Sequence, residues 1–472
     1  MGAARTPAHA RGRPRLAALA LLLAALLLAS RPLAAPVPAN AAPLVSQGAS
    51  ADGNVALVRE AFNAIDTRYF NPVSSADLLD AAWRGATAVA AAAGNGTPPA
   101  EPDFSGAPAD AYTRFATAYA ALEAATAIDP TELAYAAIRG MTAFIGNCHT
   151  YFLPPTQATA QRAAEDGGEL VGMGFRRGYT SPPWLVTYIV PGGPAEAAGL
   201  QAGDAILAYD GDSSALAPTT RSSRAEGETV LLTIRRPGED TPRTVPIVIG
   251  RYRFPRLESR IIQRGPNKLG YLRFFTWERG EEQANAIRAA VAAFEAQGVV
   301  GWVIDVRANG GGYAGPIADL FTPAGDLFRE VTRDGRSFTL TADGSAIAPL
   351  RPLAFLIGPG SGSASEIVPE ALREAGTAVL VGEHTEGCMA GTSEVPLADG
   401  SSIWVTSVHV LIGSGGQDLE GIGVDPDIAA PLTAADLAAG RDPGLDAAVS
   451  YLQQAAGHAP VPTLAPALTG AR

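Results

Sequence analysis

The segment GSGSASEI, residues 360–367, sets serines among small residues where a strand-like run gives way to a helix-like one. Hydrolases often present a nucleophilic hydroxyl at such a turn, and the hydroxyl becomes reactive only when a nearby base takes its proton. Three serines compete for the role, Ser361, Ser363 and Ser365, and serines cap helices and line turns more often than they attack. The choice of base is narrow, because the chain has one lysine, Lys268, and five histidines. Among these, His149 in GNCHTYF, His384 in VGEHTEG and His409 in a β-like segment are the candidates, and an imidazole suits proton transfer near neutral pH. The triple glycine 310–312 follows the apolar run VVGWVIDV; its N–H groups can bind an oxyanion, or the glycines can simply make a tight turn.

The elements that must position these residues fall into three textures. From about residue 53 to 153 the chain is alanine-rich with apolar residues at helical spacing (Leu57, Val58, Ala61, Phe62 and Ile65; then Leu78, Leu79, Ala82 and Trp83), interrupted by a Gly/Pro/Ala loop at 94–110 and resumed as a helical stretch over 111–144. Residues 168–250 alternate in short strands, at 184–190, 205–210 and 229–235. From Leu269 onward strands alternate with helices, at 281–297 and 366–374 among others, which predicts an α/β core whose site lies at the carboxyl ends of strands. The glycine loop and the serine loop each follow such a strand.

Composition bounds the function. With 47% hydrophobic and 17% charged residues in 472, the chain is globular and large enough for two or three domains. Four arginines, at 5, 11, 13 and 15, precede an apolar run over 16–29, and small residues follow, so residues 1–41 read as a secretory signal peptide; a retained anchor is the alternative, although the run is shorter than a bilayer span. Removing the segment takes the formal charge from −12 to about −17, which argues against nucleic acid as a partner. The expectation is an exported protein with no stable membrane span after cleavage. No His/Cys/Asp cluster has ligand spacing, so neither a metal nor a cofactor is expected.

Two resemblances sharpen this. GMGF (Gly172, Met173, Gly174, Phe175), PAEAAGL and AGDAILAYDG resemble a PDZ domain of the bacterial protease type, whose glycine loop receives a peptide's terminal carboxylate on backbone N–H groups. VIDVRANGGG, GPGSGSASEIVPEAL, VGEHTEG, PLADGS and GIGVDPDI, in that order, resemble the S41 serine peptidases, which include the carboxyl-terminal processing proteases and the tricorn-like proteases. The resemblance implies a ClpP/crotonase-like α/β catalytic core at 251–455, an N-terminal helical region at 42–160, an inserted β-rich PDZ domain at 166–250 and a loose tail at 456–472. It implies a protein or peptide substrate with a free C-terminus, Ser363 as nucleophile, and Ala364 and Gly311 as oxyanion donors.

The same comparison exposes a departure. Processing proteases pair the serine with a lysine and a glutamine, and the matching positions here are Cys388 and Thr392. The tricorn-like pattern instead implies His149 as base and Glu420 as its orienting carboxylate, with Cys148 where that branch has a serine; Pro369, early in the serine helix, also resembles that branch. Cys148 and Cys388 are the only cysteines, and the resemblance sets both beside the site, where they either pair as a disulfide or remain free thiols. Two functions stay open: an exported serine endopeptidase working through an acyl-enzyme, and a silent pseudoprotease that only captures peptide ends. Glu374, Asp305 and Arg307 receive no chemical role; the last two are expected to order the core by ion pairs.

Overall fold

A computed structural model describes residues 51–94, 99–178, 184–213, 224–322, 325–342, 346, 351–413 and 415–456. The signal segment 1–41 and the tail after 456 lie outside the described residues.

Four helices open the described chain: Ala51–Arg68, Ser75–Ala92, Pro108–Ala125 and Pro130–Ile145. The stretch expected as one helix over 111–144 is two. Asp129 accepts from the N–H groups of Thr131 and Glu132, and Pro130 sits at the first helical position, so the sequence restarts a helix there. The second and fourth helices cross where Gly85 meets Gly140. A Cβ on either would lie 2.3 or 2.2 Å from the partner's backbone carbonyl, so only glycine permits this approach. Their apolar faces, with Leu78, Trp83 and Ile138, pack with Phe115 of the third helix and with Phe152, Ile403 and Val405 of a sheet described next.

That sheet escaped the sequence reading. Its path runs Tyr151–Leu153, Ser402–Ile412, Gly325–Thr332, Ser337–Ala342, all antiparallel, with Gly391–Pro396 and Gln417–Asp418 also paired to the long strand Ser402–Ile412. The second large sheet is the expected α/β core. Ile428–Ala429, Ala378–Gly382, Leu353–Ile357, Trp302–Asp305 and Asn267–Arg273 lie parallel, and Glu258–Arg264 closes the edge antiparallel. The central strands Ala378–Gly382, Leu353–Ile357 and Trp302–Asp305 are buried on both faces, as parallel strands under crossover helices must be. Glu282–Glu295 and Ala364–Glu374 cover one face through Ile287, Val291, Val368 and Leu372, and Pro443–Ala455 covers the other through Val449 and Leu452.

The β-rich insert is a five-stranded antiparallel sheet in sequential order, Phe175–Gly178, Trp184–Ile189, Ala205–Tyr209, Thr229–Arg235 and Arg243–Val248, around Trp184, Ile206 and Leu232. Phe175–Gly178 and Arg243–Val248 are its edge strands.

Candidate active site

Parallel strands end their loops together, so Trp302–Asp305 and Leu353–Ile357 deliver the glycine loop and the serine loop to one place. Asp305 anchors the first. It is fully buried and takes three bonds from Arg307 and one from the Tyr271 hydroxyl, while Arg307 also forks onto Asp442 at 2.7 Å on both oxygens. Burial alone would raise the Asp305 carboxyl; the guanidinium groups of Arg307 and Arg273 outweigh it and hold the group well below the carboxylate range.

Of the three serines, Ser361 and Ser365 are committed to structure. Ser361 Oγ donates to the Val306 carbonyl at 2.9 Å, and Ser365 Oγ accepts from Trp277 Nε1 at 2.7 Å. Ser363 stands at the start of the helix with φ 52° and ψ −120°, a conformation that costs a non-glycine residue on the order of 1–3 kcal/mol. Its N–H donates to the Cys388 carbonyl at 2.7 Å and to Glu366 Oε2 at 3.0 Å, which pins the strained backbone. Glu366 is buried and also accepts from Thr385 Oγ1, from Gly387 N–H at 2.7 Å and from Cys388 N–H at 2.8 Å. Burial raises its carboxyl against the pull of these donors. One carboxylate thus ties the serine turn to the segment where the processing-protease lysine would stand.

The Ala364 N–H has no acceptor among the described residues, as an oxyanion donor requires. Gly311 differs from expectation: its N–H donates to Asn309 Oδ1 at 3.0 Å, because Asn309 is buried and held by the Phe274 carbonyl through its own amide. Within the loop, the N–H groups without an acceptor among the described residues are those of Gly310 and Gly312. Trp277 joins the two loops, since its backbone bonds Gly311 and Tyr313 while its indole holds Ser365. Asn309, Trp277 and Glu366 were missed in the sequence: Asn309 and Glu366 stand inside the glycine and serine motifs with nothing to mark them, and Trp277 lies far from both.

His149 follows the fourth helix on a turn built by Asn147, whose Oδ1 accepts from His149 N–H at 3.2 Å, Thr150 N–H at 2.7 Å and Thr406 Oγ1 at 3.2 Å. His149 Nδ1 lies 3.6 Å from Glu420 Oε1 and 3.6 Å from Cys148 Sγ. Glu420 Oε2 accepts from Met389 N–H at 2.5 Å and Ala390 N–H at 2.8 Å. Burial would raise the Glu420 carboxyl, but His149 and these N–H groups outweigh it and lower it. Cys148 and Cys388 form a disulfide, with Cα atoms 6.0 Å apart. Sequence spacing gave no ligand cluster, yet the fold gathers Cys148, His149 and Glu420 within 4.8 Å of one another. With Cys148 consumed in the disulfide, two ligand groups remain, fewer than the three protein ligands of a catalytic zinc site.

His149, Ser363, Ala364 and Gly310–Gly312 all line one cavity of about 520 Å³, with Thr392 also on its wall. The competing histidines do not reach it. His384 is held by Asp425 at 2.7 Å and the Ile422 carbonyl at 2.9 Å, and His409 by Asp418 at 2.6 Å while stacking on Phe70. In the β-rich insert, Gly172 ends a strand paired to Gly250–Tyr252, the Met173 and Gly174 carbonyls accept from Ala195 and Val190, and Phe175 opens the edge strand. Gly174 has φ +76° and lies against Pro194. No described helix is long and apolar enough to cross a membrane.

Comparison with known proteins agrees with this architecture. Residues 268–430 match the model for peptidase family S41, and residues 185–236 match a PDZ domain. The C-terminal processing peptidase of Tetradesmus obliquus is 32% identical over 318 residues, covering 62% of this chain and 67% of that protein. The carboxyl-terminal-processing protease of Picosynechococcus is 31% identical over 312 residues, covering 63% and 73%. Among solved structures, the photosystem II D1 C-terminal processing protease superposes with a TM-score of 0.55 at 25% identity over 84% of this chain and 97% of its own. A serine turn, a glycine loop and an inserted PDZ domain on this α/β core, together with that similarity, place the chain in peptidase family S41.

Proposed function

We propose that this protein is an exported serine endopeptidase that cleaves protein or peptide substrates by acyl transfer, using a Ser–His–Glu constellation in place of a Ser–Lys dyad. The observation that carries the reading is the shared cavity of Ser363 and His149, with Glu420 behind the imidazole and an acceptor-free Ala364 N–H at the serine. Ser363 Oγ attacks the scissile carbonyl while His149 takes its proton. Because Nδ1 faces Glu420, Nε2 is the nitrogen assigned to the transfer. Ala364 N–H and an N–H of the glycine loop receive the oxyanion; Gly311 serves only if it leaves Asn309. His149 then protonates the leaving amine as the C–N bond breaks, and water releases the acyl group by the same steps in reverse. Glu420 positions His149 and compensates its charge.

The processing-protease names of the relatives support substrates engaged by their C-termini, and the PDZ match supports capture of such an end on the loop Gly172–Met173–Gly174–Phe175 beside the open edge strand. Export rests on the signal-like leader and on the disulfide, which suits an oxidising compartment.

Incubating the purified mature protein with an unstructured protein tests the reading. Cleavage that disappears in Ser363→Ala supports it, whereas an inert wild type that still binds peptide C-termini would reduce the molecule to a capture module.

A further inference from the structure

The catalytic cavity holds a carboxylate that the proposed chemistry does not use. Glu330 lines the cavity from the strand Gly325–Thr332, and among the described residues no hydrogen bond or ion pair engages its side chain. Its cross-strand partners are Phe338 on one side and Val410 on the other, so these three side chains form one row on one face of the sheet. The next row on that face contains Leu340 and Phe328, and all five residues line the cavity with Ile367, one helical turn beyond Ser363. Arg329, the neighbouring cation in sequence, points to the opposite face because strand side chains alternate. Burial raises the Glu330 carboxyl with nothing to offset it. The other two carboxylates of the cavity are satisfied, Glu165 by Arg279 and Glu278 by Arg256.

An uncompensated, partly desolvated carboxylate is costly in a wall otherwise aromatic and aliphatic, and it persists where a ligand supplies the counter-charge. Phe338, 67% exposed, stands where an aliphatic stem would enter. Lysine and arginine have the complementary form, an apolar stem with a cationic end. We infer that Glu330, walled by Phe328, Phe338, Leu340 and Val410, is a specificity residue that receives a lysine or arginine side chain of the substrate close to the scissile bond.

This rests on the serine-peptidase reading, and the test separates the two. Cleavage sites of an unstructured protein, mapped by mass spectrometry, should carry Lys or Arg at one fixed position relative to the cut. In parallel, Ser363→Ala should bind a fluorescent peptide carrying lysine there about 10- to 100-fold more tightly than its norleucine analogue, as expected for a hydrogen bond to a charged group. Adding Glu330→Gln should erase that difference while norleucine peptide binding stays, which also shows that the variant is folded. Cleavage without a fixed basic position, or equal binding of the two peptides to Ser363→Ala, overturns the assignment to Glu330 and leaves the peptidase standing. Absent cleavage with preserved lysine discrimination overturns the peptidase reading alone.

Discussion

Cys388 touches both halves of the candidate site: its carbonyl accepts the Ser363 N–H at 2.7 Å, and its sulfur is bonded to Cys148, whose neighbour in sequence is His149. The disulfide spans 240 residues and joins the N-terminal segment to the α/β core. Constraining so long a loop stabilises by about 5 kcal/mol in the chain-entropy model, and removal of native disulfides typically costs about 2–5 kcal/mol. Denatured protein without reductant should therefore show no free thiols. The double variant Cys148→Ala/Cys388→Ala should melt several degrees lower and lose turnover at temperatures where it is still folded. Unchanged activity in a folded double variant would reduce the bond to a staple remote from chemistry.

The proposed Ser–His–Glu constellation divides the base function between His149 and Glu420 in a testable way. His149→Ala should lower kcat by about 10²- to 10⁴-fold, the range of a lost general base. Glu420→Gln retains an oxygen for the Met389 and Ala390 N–H groups but removes the charge beside His149. It should leave the melting temperature nearly unchanged and reduce kcat with little change in KM. Residues acting as one unit are non-additive, so Ser363→Ala combined with His149→Ala should be no worse than Ser363→Ala alone. Full activity in His149→Ala would remove the histidine from the mechanism.

The serine turn, the glycine loop, the α/β core and the β-rich insert were legible because each rests on short-range grammar: small residues at a tight turn, apolar runs for buried strands, and alternation in the insert. The antiparallel sheet was not. Its long strand Ser402–Ile412 pairs with segments up to 253 residues away (Tyr151 with Trp404), and such pairing leaves no local signature. The Asn309 clasp on Gly311 escaped for a related reason, since the sequence shows that a glycine loop exists but not where its N–H groups point. Glu366 was hidden in the same way. Read along the chain it is one more acidic residue in a helix's first turn, and only the fold brings Thr385, Gly387 and Cys388 to it.

Gly311 tests whether the glycine loop serves the serine or merely turns the chain. It has φ +106°, and an added Cβ would fall 2.6 Å from Ser363 Cβ and 3.1 Å from its hydroxyl. Gly311→Ala should therefore abolish cleavage while circular dichroism and PDZ-directed peptide binding persist, since the nearest atoms to the added methyl all belong to the serine turn, Ser363 and the Gly362 carbonyl oxygen at 2.9 Å. Retained turnover in that variant would mean the loop can withdraw without consequence, which is incompatible with an oxyanion role for it.

Peptide capture by the β-rich insert has its own signature. A terminal carboxylate received on backbone N–H groups is lost when the peptide is amidated, so Ser363→Ala should bind a free C-terminus far better than its amide by fluorescence anisotropy. Gly174→Ala should weaken both binding and local stability, because at φ +76° a side chain costs about 1–2 kcal/mol and its Cβ would press on Pro194 Cδ at 3.0 Å. Equal affinity for acid and amide would exclude carboxylate capture.

The Asp305–Arg307–Asp442 network predicts how the fold answers acid. Asp305 has a carboxyl depressed in the folded state, so its contribution is present above the unfolded value of about 3.9 and is lost as pH falls from there toward the depressed folded value. The melting temperature should be nearly flat above pH about 5 and drop steeply below about 4. Asp305→Asn leaves Arg307 with Asp442 alone and removes the carboxylate that Tyr271 and Arg273 also face. Breaking a buried pair in this way costs about 3–5 kcal/mol. The variant should therefore be markedly less stable at neutral pH and should lose part of the acid-dependent drop. If its stability fell in parallel with wild type between pH 5 and 3, the acid sensitivity would belong to other carboxylates, and the anchor beneath the glycine loop would be a matter of packing instead of charge.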